Sequence, residues 1–328
     1  MFSYKVSIKV RGSVAVVGAG PAGLKAAGTL ASANCEVDVY DSNPEPGGLL
    51  IFGIPSFRIN KDKVIEGIEK LEHLGVKFFN KVKVTGKFLR ELLTGYDAVL
   101  IATGAWEPRK LNLRGVELSG VYYAFDYLVS KALSERGYLR GSELPRLGRR
   151  VAVIGGGLTA VDACLTALKE GVREVYLLYR RTKEYAPAGK RELEKLEEEG
   201  IRVIELAIPK EILGKAKVEG VRVAKAKLAE LDESGRPKPI ELPGSEYVIG
   251  VDSVLVAIGE KPTPPPSITD LNVRLGKGGE ILVDDKYMTT REGIFAAGDV
   301  VSGPSRIGLA MKSGLKAALS LINYLKEG

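Results

Sequence analysis

The hydrophobic positions of this chain gather into short continuous runs, and two of these runs end in glycines and then in a stretch with helical spacing. Val14-Ala15-Val16-Val17 leads into Gly18-Ala19-Gly20-Pro21-Ala22-Gly23. Val151-Ala152-Val153-Ile154 leads into Gly155-Gly156-Gly157-Leu158-Thr159-Ala160. A short run apolar on both faces is what a buried parallel strand requires. The pattern predicts a strand over Ser13–Val17, a helix over Pro21–Ser32 and a strand over Glu36–Tyr40. It predicts a second unit as strand 151–154, helix 159–170 and strand 174–179. Each has the length of a strand–helix–strand crossover.

Between and beyond these units the pattern is weaker. It predicts a helix over 62–74, strands over 76–79 and 82–84, and an apolar strand over 98–102 that runs into Thr103-Gly104. Residues 106–120 lack periodicity and read as a connection, after which a helical stretch leads to the second unit. A solvated helix is expected over 189–199, then strand-like alternation over 201–242 with a turn at 232–235, then a strand over 253–258 ending at Gly259. The run Lys261-Pro262-Thr263-Pro264-Pro265-Pro266 is a stiff connector. Strands over 281–283 and 293–296 and a closing helix from about residue 305 follow. The segment 267–328 is small for a domain of its own. The economical architecture is α/β, with two Rossmann-like domains: 1–115 with 262–328, and an inserted 116–261.

The glycine spacing carries chemistry. In Gly18-x-Gly20-x-x-Gly23 the first glycine permits a tight turn, the second lets a pyrophosphate approach the backbone, and the third lets helix and strand pack closely. The helix start, with Pro21 at its first position and Ala22 behind it, would offer unpaired N–H groups to the phosphates. Asp41, 23 residues after Gly18, stands where an acid would bond a ribose. The second fingerprint has Gly155, Gly157, Leu158, Thr159 and the small Ala160. Its second strand ends not in an acid but in Tyr179-Arg180-Arg181-Thr182. Guanidinium groups bind a 2′-phosphate in bidentate fashion where a carboxylate would repel it. The expectation is a 2′-hydroxyl dinucleotide at the first site and NADP at the second. One chain with two dinucleotides points to hydride transfer between them.

Composition removes several alternatives. The 328 residues carry 48 Lys and Arg against 41 Asp and Glu, a formal charge of +7, but the signs are interleaved. No aromatic–basic cluster of a nucleic-acid binder is present, and no apolar run would span a bilayer. The start Met1-Phe2-Ser3 lacks the pattern of a signal peptide, so a cytoplasmic setting is expected. Two cysteines, Cys35 and Cys164, and one histidine, His73, are too few for an iron–sulfur cluster, a Cys-only zinc site or a Ser-His-Asp triad. No metal site and no catalytic side chain is nominated. The absence of Gln, with 27% charged residues, hints at a thermophilic source.

The sequence resembles the flavoproteins with two dinucleotide-binding domains, and within them the small subunit of NADPH-dependent glutamate synthase. The stretches that carry this are Gly47-Gly48-Leu49-Leu50-Ile51-Phe52-Gly53-Ile54-Pro55-Ser56-Phe57-Arg58, Ala102-Thr103-Gly104-Ala105, the second fingerprint through Asp162, Tyr179–Thr182, Val256–Gly259 and Gly293–Pro304. The resemblance implies FAD on Gly18, Gly20, Pro21, Ala22, Gly23 and Asp41, with Gly48, Leu49, Arg58, Val84, Thr103, Gly104, Gly298, Asp299, Ile307 and Gly308. It implies NADP on Gly155, Gly157, Leu158, Thr159, Ala160, Arg180 and Arg181, with Gly259 nearby. Three departures are visible. The family's cysteine-rich iron–sulfur segment does not precede the first fingerprint, Leu158 replaces a usual Asn, and the redox Cys pair of related thioredoxin reductases is missing. The implied activity is hydride transfer from NADPH to FAD, with electrons passed to a partner subunit or a ferredoxin. The alternatives are a free-standing ferredoxin–NADP or dye-reducing reductase, and a non-catalytic FAD/NADP-binding subunit or redox sensor.

Overall fold

The structure, a computed structural model, describes residues 1–3, 6–232 and 235–327. The chain forms two compact units, Met1–Glu107 with Glu260–Gly328, and Pro108–Gly259. The crossings fall at 107/108 and 259/260. Residues 108–115 go with the second unit because Leu111 packs on its core and Arg114 pairs with Glu211.

The first unit is a five-stranded parallel sheet in the order Ile294–Ala296, Ala98–Ile101, Ser13–Val17, Glu36–Tyr40, Lys77–Phe79. Its central strand is buried along nearly its whole length, as a sheet covered on both faces demands. Helix Pro21–Ser32 starts at a proline that has no N–H to leave unpaired. Helix Lys61–His73 is capped by Asn60, whose side chain accepts from the Lys63 N–H at 3.1 Å. Thr85 caps a further helix, Gly86–Gly95. No strand forms over 82–84, although Val84 is buried in the core with Val17 and Ile101. The strand expected over 281–283 is reduced to isolated bridges, Leu275 to Ile281 and Val283 to Thr289.

The second unit repeats the plan. Its parallel sheet runs Val121–Tyr123, Ser253–Ala257, Arg150–Gly155, Glu174–Leu178, Arg202–Ile204. The alternation over 201–242 resolves into that fifth strand and an antiparallel addition of Ala207–Leu213, Gly220–Leu231 and Pro237–Glu241, with Tyr247–Ile249 pairing Gly220–Leu231. The turn expected at 232–235 includes Glu233 and Ser234, which lie outside the described residues. No helix among the described residues is long and apolar enough to cross a membrane.

In both units the glycine-bearing strand is central, and the strand order reverses beside it. Ligands of doubly wound sheets bind outside the carboxyl ends of the strands at that reversal. In the first unit the place is crowded by design. Helix Pro21–Ser32 lies so close to helix Ile307–Glu327 that a Cβ added to Gly314 would stand 2.1 Å from the Ala22 carbonyl oxygen. Gly314→Ala should therefore cost about 1–3 kcal/mol through overpacking, and calorimetry should find a lowered Tm. An unchanged Tm would mean the two helices have room to part.

Candidate functional site

The two fingerprints use their glycines in the same division of labour. Gly18 has φ +108°, and a Cβ there would come within 2.4 Å of the Ala102 carbonyl oxygen at the end of the neighbouring strand. Gly155 has φ +153°, and its Cβ would lie 2.1 Å from the Ala257 carbonyl oxygen. A Cβ added to Gly23 would stand 1.9 Å from the Gly18 carbonyl oxygen, and Ala160, in the corresponding place, is fully buried. The second glycines differ in kind. Gly20 (φ −79°, ψ −174°) and Gly157 (φ −92°, ψ 177°) are in extended backbone that any residue adopts. An added Cβ at either would meet no atom within 4 Å. The protein itself has no need of glycine at these two positions, which is the fit expected where a phosphate approaches the backbone at a helix start.

In the first unit the residues around this loop converge. Asp41 accepts from the Ala19 N–H at 2.6 Å and from the Asn43 N–H at 2.7 Å. Burial pushes its carboxyl upward, and the bonds from Ala19 and Asn43 pull it back. Gly47 donates to the Ala19 carbonyl at 2.8 Å, and Gly48, with φ +52°, lies against Gly20. The short helix Leu49–Phe52 follows, fastened by Lys61, whose ammonium donates to the carbonyls of Leu50 at 2.6 Å, Ile51 at 3.0 Å and Ile54. Gly298 (φ +76°) approaches Ala22, and Asp299 accepts from the Ser305 hydroxyl at 2.6 Å. Burial raises the Asp299 carboxyl while the Ser305 bonds lower it. Helix Ile307–Glu327 begins just beyond, with Gly308 exposed.

The structure also separates residues that the sequence grouped. Thr103 Oγ1 is buried with no hydrogen-bond partner among the described residues, which leaves it available to a ligand group. Gly104 has φ +76°, and its carbonyl accepts from Thr263. The side chain of Val84 is spent in the core, so any cofactor contact must pass through its main chain. The backbone N–H of Arg58 donates to the Pro55 carbonyl within its own loop at 2.9 Å. Lys61 and Asn43 had no signal in the sequence, because Lys61 holds backbone carbonyls and Asn43 holds the Asp41 carboxylate.

The second unit reverses the electrostatics. Ile154 pairs with Leu178 as Val17 pairs with Tyr40, so Tyr179 holds the register position of Asp41. Its ring covers Gly156, where an added Cβ would come within 2.4 Å of ring carbon, and its hydroxyl donates to the Tyr185 carbonyl. Arg180 is exposed, whereas Arg181 is only 2% exposed and donates to the Pro237 carbonyl and the Asp232 carboxylate. The two arginines, alike in sequence, are thus one surface group and one structural group. Leu158 opens helix Leu158–Lys169 at 43% exposure, with Thr159 half-buried beside it. Gly259, with φ +105°, accepts from the Arg109 N–H at 2.8 Å and lies against that side chain. Among the described residues no cluster of His, Cys, Asp and Glu could hold a metal ion. Burial pushes the Cys164 thiol well up, so it is no thiolate nucleophile.

Two glycine-rich turns at two sheet reversals define a chain built to hold two dinucleotides. It belongs to the pyridine nucleotide-disulphide oxidoreductase family, whose model matches residues 12–314. The chain is 38% identical to the glutamate synthase [NADPH] small chain of Azospirillum brasilense over 322 residues, covering 96% of this chain and 67% of that one. It is 34% identical to the Escherichia coli glutamate synthase [NADPH] small chain, covering 95% and 68%. In fold it is similar to Mycobacterium tuberculosis FprA in complex with NADPH, with a TM-score of 0.82 at 22% identity over 97% of this chain and 85% of that one.

The glycine geometry separates folding from binding. Stripped of dinucleotide, Gly20→Ala and Gly157→Ala should keep the stability of the unaltered chain within about 0.5 kcal/mol, as substitutions in open space do, and should abolish retention of a dinucleotide together with the stabilisation it brings. Gly18→Ala should instead lower Tm, since a Cβ there meets the Ala102 carbonyl. Thermal melts with dinucleotide analysis of the purified variants check both. Equal loss of stability at Gly18 and Gly20 would remove the distinction.

Proposed function

We infer that this chain is an NADPH-dependent FAD oxidoreductase, with FAD on the Met1–Glu107 and Glu260–Gly328 unit and NADP on the Pro108–Gly259 unit. The observation that carries this is the open side of Gly20 and Gly157, at equivalent places in two dinucleotide folds of one chain. Family membership supports the chemistry, and the acid in one site against arginines in the other supports the order of the cofactors. When bound, NADPH supplies a hydride and FAD accepts its two electrons. The chain's own residues bind and orient. The N–H groups following Gly20 and Gly157 face the pyrophosphates. Asp41 receives a ribose hydroxyl while it fixes the glycine turn through Ala19. Asp299 and Thr103 bond the middle of the flavin cofactor. The N-terminus of helix Ile307–Glu327 favours negative charge placed there. Gly155, Leu158, Thr159 and Arg180 hold the nicotinamide dinucleotide, with Gly259 beside them.

Hydride transfer between two bound cofactors needs no side-chain acid or base, and none is assigned. The electrons leave to a second protein. The relatives are named as small chains, which supports a subunit that serves a larger partner. A cluster-bearing subunit or a ferredoxin is the class of acceptor this role requires.

An anaerobic titration of the flavin band tests the reading. NADPH should bleach it at a lower concentration than NADH. Arg180→Ala should raise the NADPH requirement about tenfold or more, the worth of a charge-assisted hydrogen bond, and leave NADH unchanged. A flavin that neither nucleotide bleaches would overturn the enzymatic reading in favour of a binding subunit.

A further inference from the structure

In the first unit one excursion of the chain leaves the glycine turn and is held at its far side by a lysine. It starts where Gly47 and Gly48 meet the turn. The Gly47 N–H donates to the Ala19 carbonyl at 2.8 Å, and a Cβ added to Gly48 would stand 2.7 Å from the Gly20 Cα. Leu50, Ile51 and Phe52 then turn fully buried side chains into the unit. Beyond them burial gives no such hold. Gly53, Ile54 and Pro55 are half-buried, and Ser56, Phe57 and Arg58 are exposed. Lys61 supplies a hold on this stretch through the main chain. Its ammonium donates to the carbonyls of Leu50 at 2.6 Å, of Ile51 at 3.0 Å and of Ile54.

Lys61 is placed against the preference of its own helix. It is the first residue of Lys61–His73, and a cation at a helix start opposes the dipole. Asn60 as cap and Asp62 in the first turn already serve that helix start. The charge works instead on the neighbouring segment. An ammonium has three N–H donors, and three carbonyls within residues 50–54 receive from this one. The helix that carries it is well seated. Val64 and Leu71 are fully buried, and a Cβ added to Gly67 would come within 2.9 Å of the Phe2 ring. The excursion is thus fixed to the glycine turn at one end and to a packed helix at the other. Between these ends the N–H groups of Gly53 and Ile54 both donate to the Leu49 carbonyl, at 3.1 and 2.9 Å. Ordering such a segment costs conformational entropy whether a ligand or the protein imposes the order. Here the protein's own cation imposes it.

We propose that Lys61 is the positioning residue that presets the wall for the flavin half of the first dinucleotide. This rests on the reading that the Met1–Glu107 and Glu260–Gly328 unit takes FAD. In that reading Asp41 takes the ribose and Gly20 the pyrophosphate, and these two points fix the direction in which the cofactor runs. Gly48 lies on Gly20, and the segment that follows it flanks the part of the cofactor beyond the pyrophosphate. Lys61 acts through the main chain of residues 50–54, not by touching the cofactor. The adenosine half, held by Asp41 and the glycine turn, is independent of it. Order imposed before binding raises affinity because the ligand no longer bears the ordering cost.

The test is calorimetric titration of the full chain, stripped of flavin, with FAD and separately with ADP. The unaltered chain should bind FAD more tightly than ADP. Lys61→Met should weaken FAD about tenfold and leave ADP within about twofold. Lys61→Arg, which keeps a cation with several donors, should recover part of the loss. Equal weakening of FAD and ADP would make Lys61 a support of the whole turn, and unchanged FAD affinity would give it no part in binding. Either result overturns the proposal while leaving FAD at this unit intact. Hydrogen exchange on the unaltered chain gives a second measurement that does not depend on how the variants fold. The amides of Gly53 and Ile54 should be protected before FAD is added. Protection that arises only with FAD would overturn the preset wall. An unaltered chain that binds FAD and ADP alike would overturn the FAD assignment and this inference with it.

Discussion

The close approach of a glycine to the carbonyl that ends the neighbouring strand governs both halves of this molecule. Gly18 against Ala102 and Gly155 against Ala257 are contacts that no side chain could share. They bring the turn down onto the sheet, so the helix after it starts directly above the strand ends. In the first unit the rest follows by crowding. Gly23 must be bare to sit on Gly18, Gly48 must be bare to lie on Gly20, and Gly298 and Gly314 must be bare to admit Ala22. A cluster of Ala22, Ala102 and Ala310 fills what remains. A packed interior of such small residues gains little from area burial. Its worth lies in the fixed position it gives to the N–H groups at the helix start.

The two sites share this frame and differ in one register position. Asp41 turns its carboxylate inward and braces the glycine turn through the Ala19 N–H, so the acid that ends the second strand also fixes the glycine loop. In the second unit that position is Tyr179, and the bracing passes to its ring, which covers Gly156. With the acid gone, the following residue is free to be cationic. Bracing rests on a carboxylate in the first unit and on an aromatic ring in the second.

Much of this was legible in the amino-acid sequence, for a physical reason. Parallel strands buried on both faces leave continuous apolar runs, and a turn with no room for Cβ leaves glycines at fixed spacing. Both signals are local, and they defined the α/β class, the two nucleotide folds and the fingerprint residues. What failed was non-local or irregular. Arg181 reads as a twin of Arg180, and only Pro237 and Asp232, far along the chain, turn it inward. Lys61 works through three carbonyls, a function without a pattern. Val84 carries a strand-like apolar neighbourhood, but its segment is held by core contacts and never joins a ladder. The segment around 281–283 makes only isolated bridges, too few to fix a period.

The open flank of Gly20 has a consequence for how this protein can fail in a cell. Most damaging substitutions unfold a chain, and proteolysis removes the product. An alanine at Gly20 meets no protein atom within 4 Å of its Cβ, so it leaves the packing of the fold undisturbed and gives quality control little to recognise. Such a chain would persist, empty of its cofactor yet intact on its outer surface. In an assembly it would occupy the place of a working copy. Damage here would be inherited as interference rather than as scarcity.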